Sequence, residues 1–241
     1  MSRQRSIEIP RLVEVGPGRI EQLPDLLRGG FDTSHVLLGT GGGASLPLAA
    51  GVADALRSAG LRVTHEPGLT GSLEQAVELA ATAIRAEVTL LVGLGGGRVV
   101  DTVKLAASRI GAEFVSVPTA VSHDGISSPV ASLERGEDGH RSSYAAAMPA
   151  GVILDLDVVG AAPIRTLRAG LGDLLSNLVA ILDWELAAER GAGEFDAYSA
   201  LIAEHAARSA LDVEDLTSPE SHELLAKGLL LSGLAMAAAG T

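Results

Sequence analysis

The stretch LVGLGGGRVVDTVK, Leu91 to Lys104, sets three consecutive glycines, Gly95, Gly96 and Gly97, between an apolar run and the opening turns of a helix. A glycine-rich turn at a helix N-terminus turns backbone N–H groups toward an anion, and the helix end adds favourable partial charge. A diphosphate is therefore one chemistry the bend supports. The plainer reading is a tight turn that needs positive φ. The contiguous triplet also departs from the G-x-G-x-x-G spacing of the common dinucleotide turn. Asp101 and Lys104 follow at helical spacing and share a face near the start of the helix. A second run, VPTAVSHDGISSPVASL from Val117 to Leu133, ends a strand in Thr, Ser, His and Asp. Those hydroxyls and the carboxylate suit a cofactor and a polyol. In an open α/β sheet ligands bind outside the carboxyl ends of the strands, so both loops are expected on one edge. The earlier triplet Gly41 to Gly43 is read as a plain loop.

The elements that must position these loops alternate along the chain. RLVEV, HVLLG (His35 to Gly39), LRVTH, VTLLVGL and EFVSVP read as strands. A short amphipathic stretch through Leu27, an Ala/Leu helix ending near Ala59, a helix from Ser72 (its N-cap) to Arg85 and one starting near Arg98 separate them. Short continuous apolar runs alternating with helices require a parallel sheet covered on both faces. The fold class is thus α/β: an N-terminal doubly wound, mainly parallel sheet domain over residues 1–162. GVILDLDVVGAAP is read as the joint to an all-helical domain, 163–241, with helices Ile164 to Arg190, Glu194 to Leu211 and Pro219 to Ala239.

Composition narrows the function. The 241 residues are 47% hydrophobic but only 2% aromatic, so the core is Ala, Val, Leu and Ile. A net charge of −12 without a basic run argues against nucleic-acid partners, and any anionic ligand must be held by local features. The absence of cysteine excludes disulfides and thiolate metal sites. The N-terminus lacks a secretion-signal pattern, and the weakly polar run Gly228 to Gly240 is shorter than the roughly 18 residues of a membrane span. The expectation is a cytoplasmic protein with no membrane partner.

Three ordered motifs, GLGGGRVVDTVKLAA, VPTAVSHDGISSP and RAGLGDLLSNLVAILDWELA, resemble the sn-glycerol-1-phosphate dehydrogenases, within the superfamily of dehydroquinate synthases, glycerol dehydrogenases and iron-containing alcohol dehydrogenases. The resemblance covers nearly the whole chain. It implies reversible reduction of a small phosphorylated substrate, dihydroxyacetone phosphate, by NADH or NADPH, with a divalent metal, usually zinc, polarising the carbonyl. It further implies that Gly95, Gly96, Gly97, Arg98, Asp101, Thr119, Ala120, Val121, Ser122 and Ser128 face the cofactor. Asp124 matches the family's substrate-binding aspartate and is the expected catalytic carboxylate. Asp173, in GLGD, matches the substrate- and metal-binding aspartate; on its own it reads as a helix N-cap or first-turn carboxylate favoured by the helix dipole. Arg98 stands where relatives often have Lys. His123 is read as assisting, structural or solvated. Asp157, Asp183, His205 and His222 are read as surface or packing residues, and LERGEDGH as a solvated loop.

The family's two metal-binding histidines lie further along than Thr241, and no histidine pair of ligand-like spacing replaces them. The helical domain is therefore expected to be C-terminally incomplete, with a homo-oligomer or a complementing C-terminal chain as possible partners. The alternatives are another polyol dehydrogenase or synthase of the superfamily, or a non-catalytic nucleotide- or sugar-phosphate-binding protein. The position where an acidic residue would select a free ribose hydroxyl reads GTGGG, which leaves NADH and NADPH both open.

Overall fold

The computed structural model describes residues 7–43, 46–136 and 139–240. Six parallel strands form the sheet: β1 (Leu12–Gly16), β2 (Val36–Thr40), β3 (Val63–Glu66), β4 (Leu90–Gly95), β5 (Glu113–Pro118) and β8 (Gly151–Asp155), in the order β1-β8-β5-β4-β2-β3. Because every pairing is parallel, with Val36 opposite Leu90 and Leu90 opposite Glu113, the carboxyl ends all reach the same edge. The fold is the expected α/β class.

The strands alternate their side chains between two cores. Leu38, Val92 and Leu94 face α1 (Leu23–Gly30) and α2 (Leu46–Ser58), whereas Leu37, Leu91 and Phe114 face α3 (Leu73–Arg85) and α4 (Gly97–Ile110). The helix after β2 therefore leaves to one face of the sheet and the helix after β4 to the other. A crevice opens between neighbouring strand ends wherever the connections diverge in this way. Ser72 caps α3 as its type predicts, its side chain accepting from the Gln75 N–H. Glycines in β2 and β4 let α4 lie close: a Cβ at Gly39 would stand 2.5 Å from Val103, and one at Gly93 3.2 Å from it.

Two segments correct the sequence reading. GVILD is not a joint but β8, buried throughout and inserted between β1 and β5, where it contributes Val152, Ile153 and Leu154 to the cores. LERGEDGH is not one solvated loop, because its ends belong to an antiparallel hairpin, β6 (Val130–Arg135) and β7 (His140–Ala145), with Leu133 fully buried. Residues 137 and 138 of that stretch lie outside the described residues. Both segments are stabilised by partners remote in sequence.

The helical part contains α5 (Leu156–Gly160), α6 (Ile164–Glu189), α7 (Ala197–Ser209) and α8 (Pro219–Ala239), close to the expected spans. Its core crosses the 162/163 boundary: Leu167, Leu174, Leu225 and Leu229 pack with Val152 and Leu154 of β8 and with Val121 and Ile126 of the loop after β5. That loop is thus held from the helical side as well as by the sheet. Among the described residues no helix is long and apolar enough to cross a membrane.

Candidate functional site

The bend from β4 into α4 has an extended N-cap at Gly96, with φ −72° and ψ 177°, and none of Gly95, Gly96 or Gly97 has positive φ. The plain-turn reading therefore does not account for the triplet. Space accounts for two of the three. A Cβ at Gly95 would stand 2.7 Å from Val99 and one at Gly97 2.2 Å from His123 Nε2, whereas Gly96 has nothing within 4 Å of that position. Gly96 alone of the three has open space beside it, at the N-terminus of a 14-residue helix, where the Val99 and Val100 N–H groups donate to Gly96 O and only the earlier N–H groups lack an intrahelical acceptor. The bend lies at the carboxyl end of β4, beside β2. The residues following Thr40, including Gly41 to Gly43, enter from the other strand, with Thr40 opposite Leu94 in the register. Sequence reading set this second triplet aside because only the strand order makes the two loops neighbours.

The loop after β5 is fastened to the bend. The Thr119 N–H donates to Gly95 O at 2.9 Å, and the His123 ring packs on Gly97. Thr119, Ala120 and Ser122 are half-buried beside the bend, and Val121 is fully buried in the helical core. Arg98 is exposed and leans away over Gly71, with Glu134 at 4.0 Å.

Helix α6 comes close enough to touch this loop because residue 170 is glycine; a Cβ there would stand 2.3 Å from the Val121 carbonyl oxygen. One turn later Asp173 Oδ2 accepts the Asp124 N–H at 2.9 Å. Helix α8 makes the same kind of approach at Gly233, whose missing Cβ would meet Ser127 Oγ at 2.2 Å. Its Ser232 hydroxyl donates to Asp124 Oδ2 at 2.8 Å, and Asn177 Nδ2 donates to Ser232 Oγ at 2.9 Å. The two aspartates expected at the reaction centre are therefore adjacent, with Asn177 and Ser232 behind them. Neither of those two was singled out by the sequence, since their spacing from Asp124 carries no local signal.

Burial sets the electrostatics here. It pushes the Asp124 carboxyl above its ordinary range, opposed by the Ser232 hydroxyl. Burial likewise raises Asp173, with the negative charge of Asp124 adding to the effect and the Asp124 N–H opposing it.

Asp101 and Ser128 are placed behind the loop, 2% and 1% exposed. Asp101 Oδ2 accepts the Ser132 N–H at 3.0 Å, while its Oδ1 is 3.3 Å from Lys104 Nζ. Lys104 has a fully buried side chain and also donates to Gly125 O at 2.6 Å and Val130 O at 2.7 Å. Burial lowers its pKa, opposed chiefly by the Asp101 charge. The Ser128 N–H bonds to Asp124 O at 3.0 Å. Of the four residues read as bland, His222 is buried, with Nε2 2.9 Å from Leu216 O.

Residues 14–163 match the iron-containing alcohol dehydrogenase family. The chain belongs to that family. It is 37% identical over 238 residues to the glycerol-1-phosphate dehydrogenase [NAD(P)+] of Methanosarcina barkeri, a match that takes in 98% of this chain and 66% of the relative. The chain thus spans about two thirds of the length of the family member it matches. Among solved structures, an archaeal halo-thermophilic alcohol dehydrogenase from a Red Sea brine pool superposes with a TM-score of 0.79 at 18% identity, covering 100% of this chain and 67% of that one. Sulfoacetaldehyde reductase from Bifidobacterium kashiwanohense, solved in complex with NAD+, gives 0.73 at 18% identity, covering 97% and 67%. These two likenesses concern the fold.

In this family setting the metal expectation can be tested against the donors present. Asp124 and Asp173 supply two carboxyl groups, but among the described residues no three His, Cys, Asp or Glu side chains stand together as metal ligands. Catalytic zinc sites use three protein ligands. The described side chains therefore do not by themselves fit the metal.

Proposed function

We propose that this chain carries the cofactor site and the substrate carboxylates of an NAD(P)-dependent dehydrogenase that converts dihydroxyacetone phosphate, NAD(P)H and a proton into sn-glycerol 1-phosphate and NAD(P)+. The observation that carries this reading is the bridging of the two loops: Thr119 bonds to Gly95, and the same loop delivers Asp124 to Asp173. The similarity to the Methanosarcina barkeri enzyme supports the choice of substrate.

The bound cofactor would supply the hydride. The chain's own residues bind and orient. The α4 N-terminus at Gly96 would hold the diphosphate, since a helix N-terminus favours an anion despite the net charge of −12. Asp124, which accepts from Ser232, would hold a substrate hydroxyl; burial raises its pKa, opposed by that hydrogen bond. The loop itself is kept in place by Lys104 and by the close approach of α6 and α8.

Fluorescence titration of the chain with NADH and with NADPH tests the binding half of the proposal, with saturable one-to-one binding as the expected result. Chiral analysis of the glycerol phosphate formed from dihydroxyacetone phosphate with zinc present tests the chemistry. Failure to bind either dinucleotide would overturn the proposal, and so would formation of the opposite enantiomer.

A further inference from the structure

We infer that His123 is a ligand-contacting residue of the dinucleotide site, donating from Nε2–H to the diphosphate bridge. The inference rests on the cofactor reading above and adds a residue that neither glycine pattern nor helix dipole supplies.

The tautomer follows from the hydrogen bond on the other side of the ring. His123 precedes the 3-10 turn Asp124–Ile126 in extended conformation, and its Nδ1 accepts the Gly125 N–H at 2.9 Å. A ring nitrogen that accepts carries no proton, so the neutral imidazole has its proton on Nε2. That nitrogen faces the bend. A Cβ at Gly97 would stand 2.2 Å from it, and on the opposite side a Cβ at Gly125 would stand 2.4 Å from Nδ1. Neither glycine has positive φ, so backbone conformation demands neither of them. The ring does. Two glycines on different elements form a slot for one imidazole against the first turn of α4.

The position of the slot gives it a function. Gly97 is the first residue of α4, so Nε2 lies against the helix N-terminus, next to the open position at Gly96. Among the described residues it has no hydrogen-bond acceptor; Asp124 Oδ2 accepts from Ser232 and Asp173 Oδ2 from the Asp124 N–H, and both carboxyl groups lie within electrostatic reach of the ring. An anion seated on the helix N-terminus would give this donor its partner, adding a side-chain hydrogen bond to the backbone N–H groups. The same ring joins the cofactor bend to the residue before Asp124, so diphosphate binding and the placing of that carboxylate share one contact.

The test compares three probes, NADH, ADP and adenosine, on the wild-type chain and on His123→Leu and His123→Gln. Leu removes the donor, whereas the Gln amide reaches the position of Nε2. Loss of one hydrogen bond to a charged group predicts about ten- to thirtyfold weaker binding of NADH and ADP by His123→Leu, recovery of most of that by His123→Gln, and no change for adenosine. In chain labelled with 15N-histidine, the protonated Nε2 resonance should shift on saturation with ADP. Binding of NADH by His123→Leu within twofold of wild type overturns the inference, as does an Nε2 resonance unmoved by ADP, a readout that does not depend on any variant folding. Should the wild-type chain bind neither dinucleotide nor ADP, the cofactor reading itself fails and takes this assignment with it.

Discussion

Replacing Lys104 by Met tests whether the loop bearing His123 and Asp124 is held by a buried charge. Met is close in length and volume, so little cavity is created. What is lost is the ammonium, which donates to two backbone carbonyls, Gly125 O and Val130 O, and pairs with Asp101, with both side chains almost wholly buried. Removing one partner from such a pair leaves the other charge and the carbonyls uncompensated and costs about 3–5 kcal/mol. For a chain of this length about 1 kcal/mol shifts Tm by roughly 2–4 °C, so Lys104→Met should melt about 6–20 °C lower. Asp101→Asn keeps an acceptor for the Ser132 N–H and removes only the charge. In a double-mutant cycle the combined variant should therefore lose less than the two single losses added, by about 1 kcal/mol or more. Thermal unfolding followed by circular dichroism supplies these values. A Lys104→Met melting temperature within about 2 °C of wild type, or strict additivity in the cycle, would refute the argument.

Gly96→Asp should separate folding from binding: an added side chain meets nothing, and Asp is a favoured N-cap, so Tm should hold or rise while the carboxylate repels the diphosphate and NADH affinity falls at least about tenfold. Equal affinity in titration would disprove the cradle. Gly170→Ala should lower Tm in spite of a helix-propensity gain of about 1 kcal/mol, because the new Cβ would fall 2.3 Å from a backbone carbonyl and push α6 off the loop; a rise in Tm would show that the contact yields freely. Arg11 holds Glu113 below its ordinary carboxyl value of 4.5 through a bidentate pair, so the stabilisation is present above that pH and is lost as pH falls through the lower folded-state value. The pair is exposed, and Glu113→Gln should therefore cost only about 0.5 kcal/mol at pH 7, with the difference from wild type closing in acid melts.

The bend and the two aspartates were legible in the sequence, but for different reasons. Gly95 to Gly97 sit at a strand–helix junction with a strong local pattern, apolar run before and helical spacing after. Asp173 carried no comparable signal and was found through the family motif around it. The function of each glycine was not legible, since it depends on what stands opposite: Val99 for Gly95, the His123 ring for Gly97 and open space for Gly96. The same holds for Gly170 and Gly233, which look like ordinary helix glycines until α6 and α8 are laid against the loop.

Local alternation of apolar runs and helix-forming stretches determined the parallel sheet and the helical segments that follow, because those patterns act over a few residues. Tertiary structure alone decided that GVILD lies between β1 and β5 and that the loops after β2 and β4 share a crevice. It alone decided, too, that Asn177 and Ser232 stand behind Asp124. Strand order, close approach and burial are set by partners distant along the chain, so no window of sequence contains both sides of those contacts.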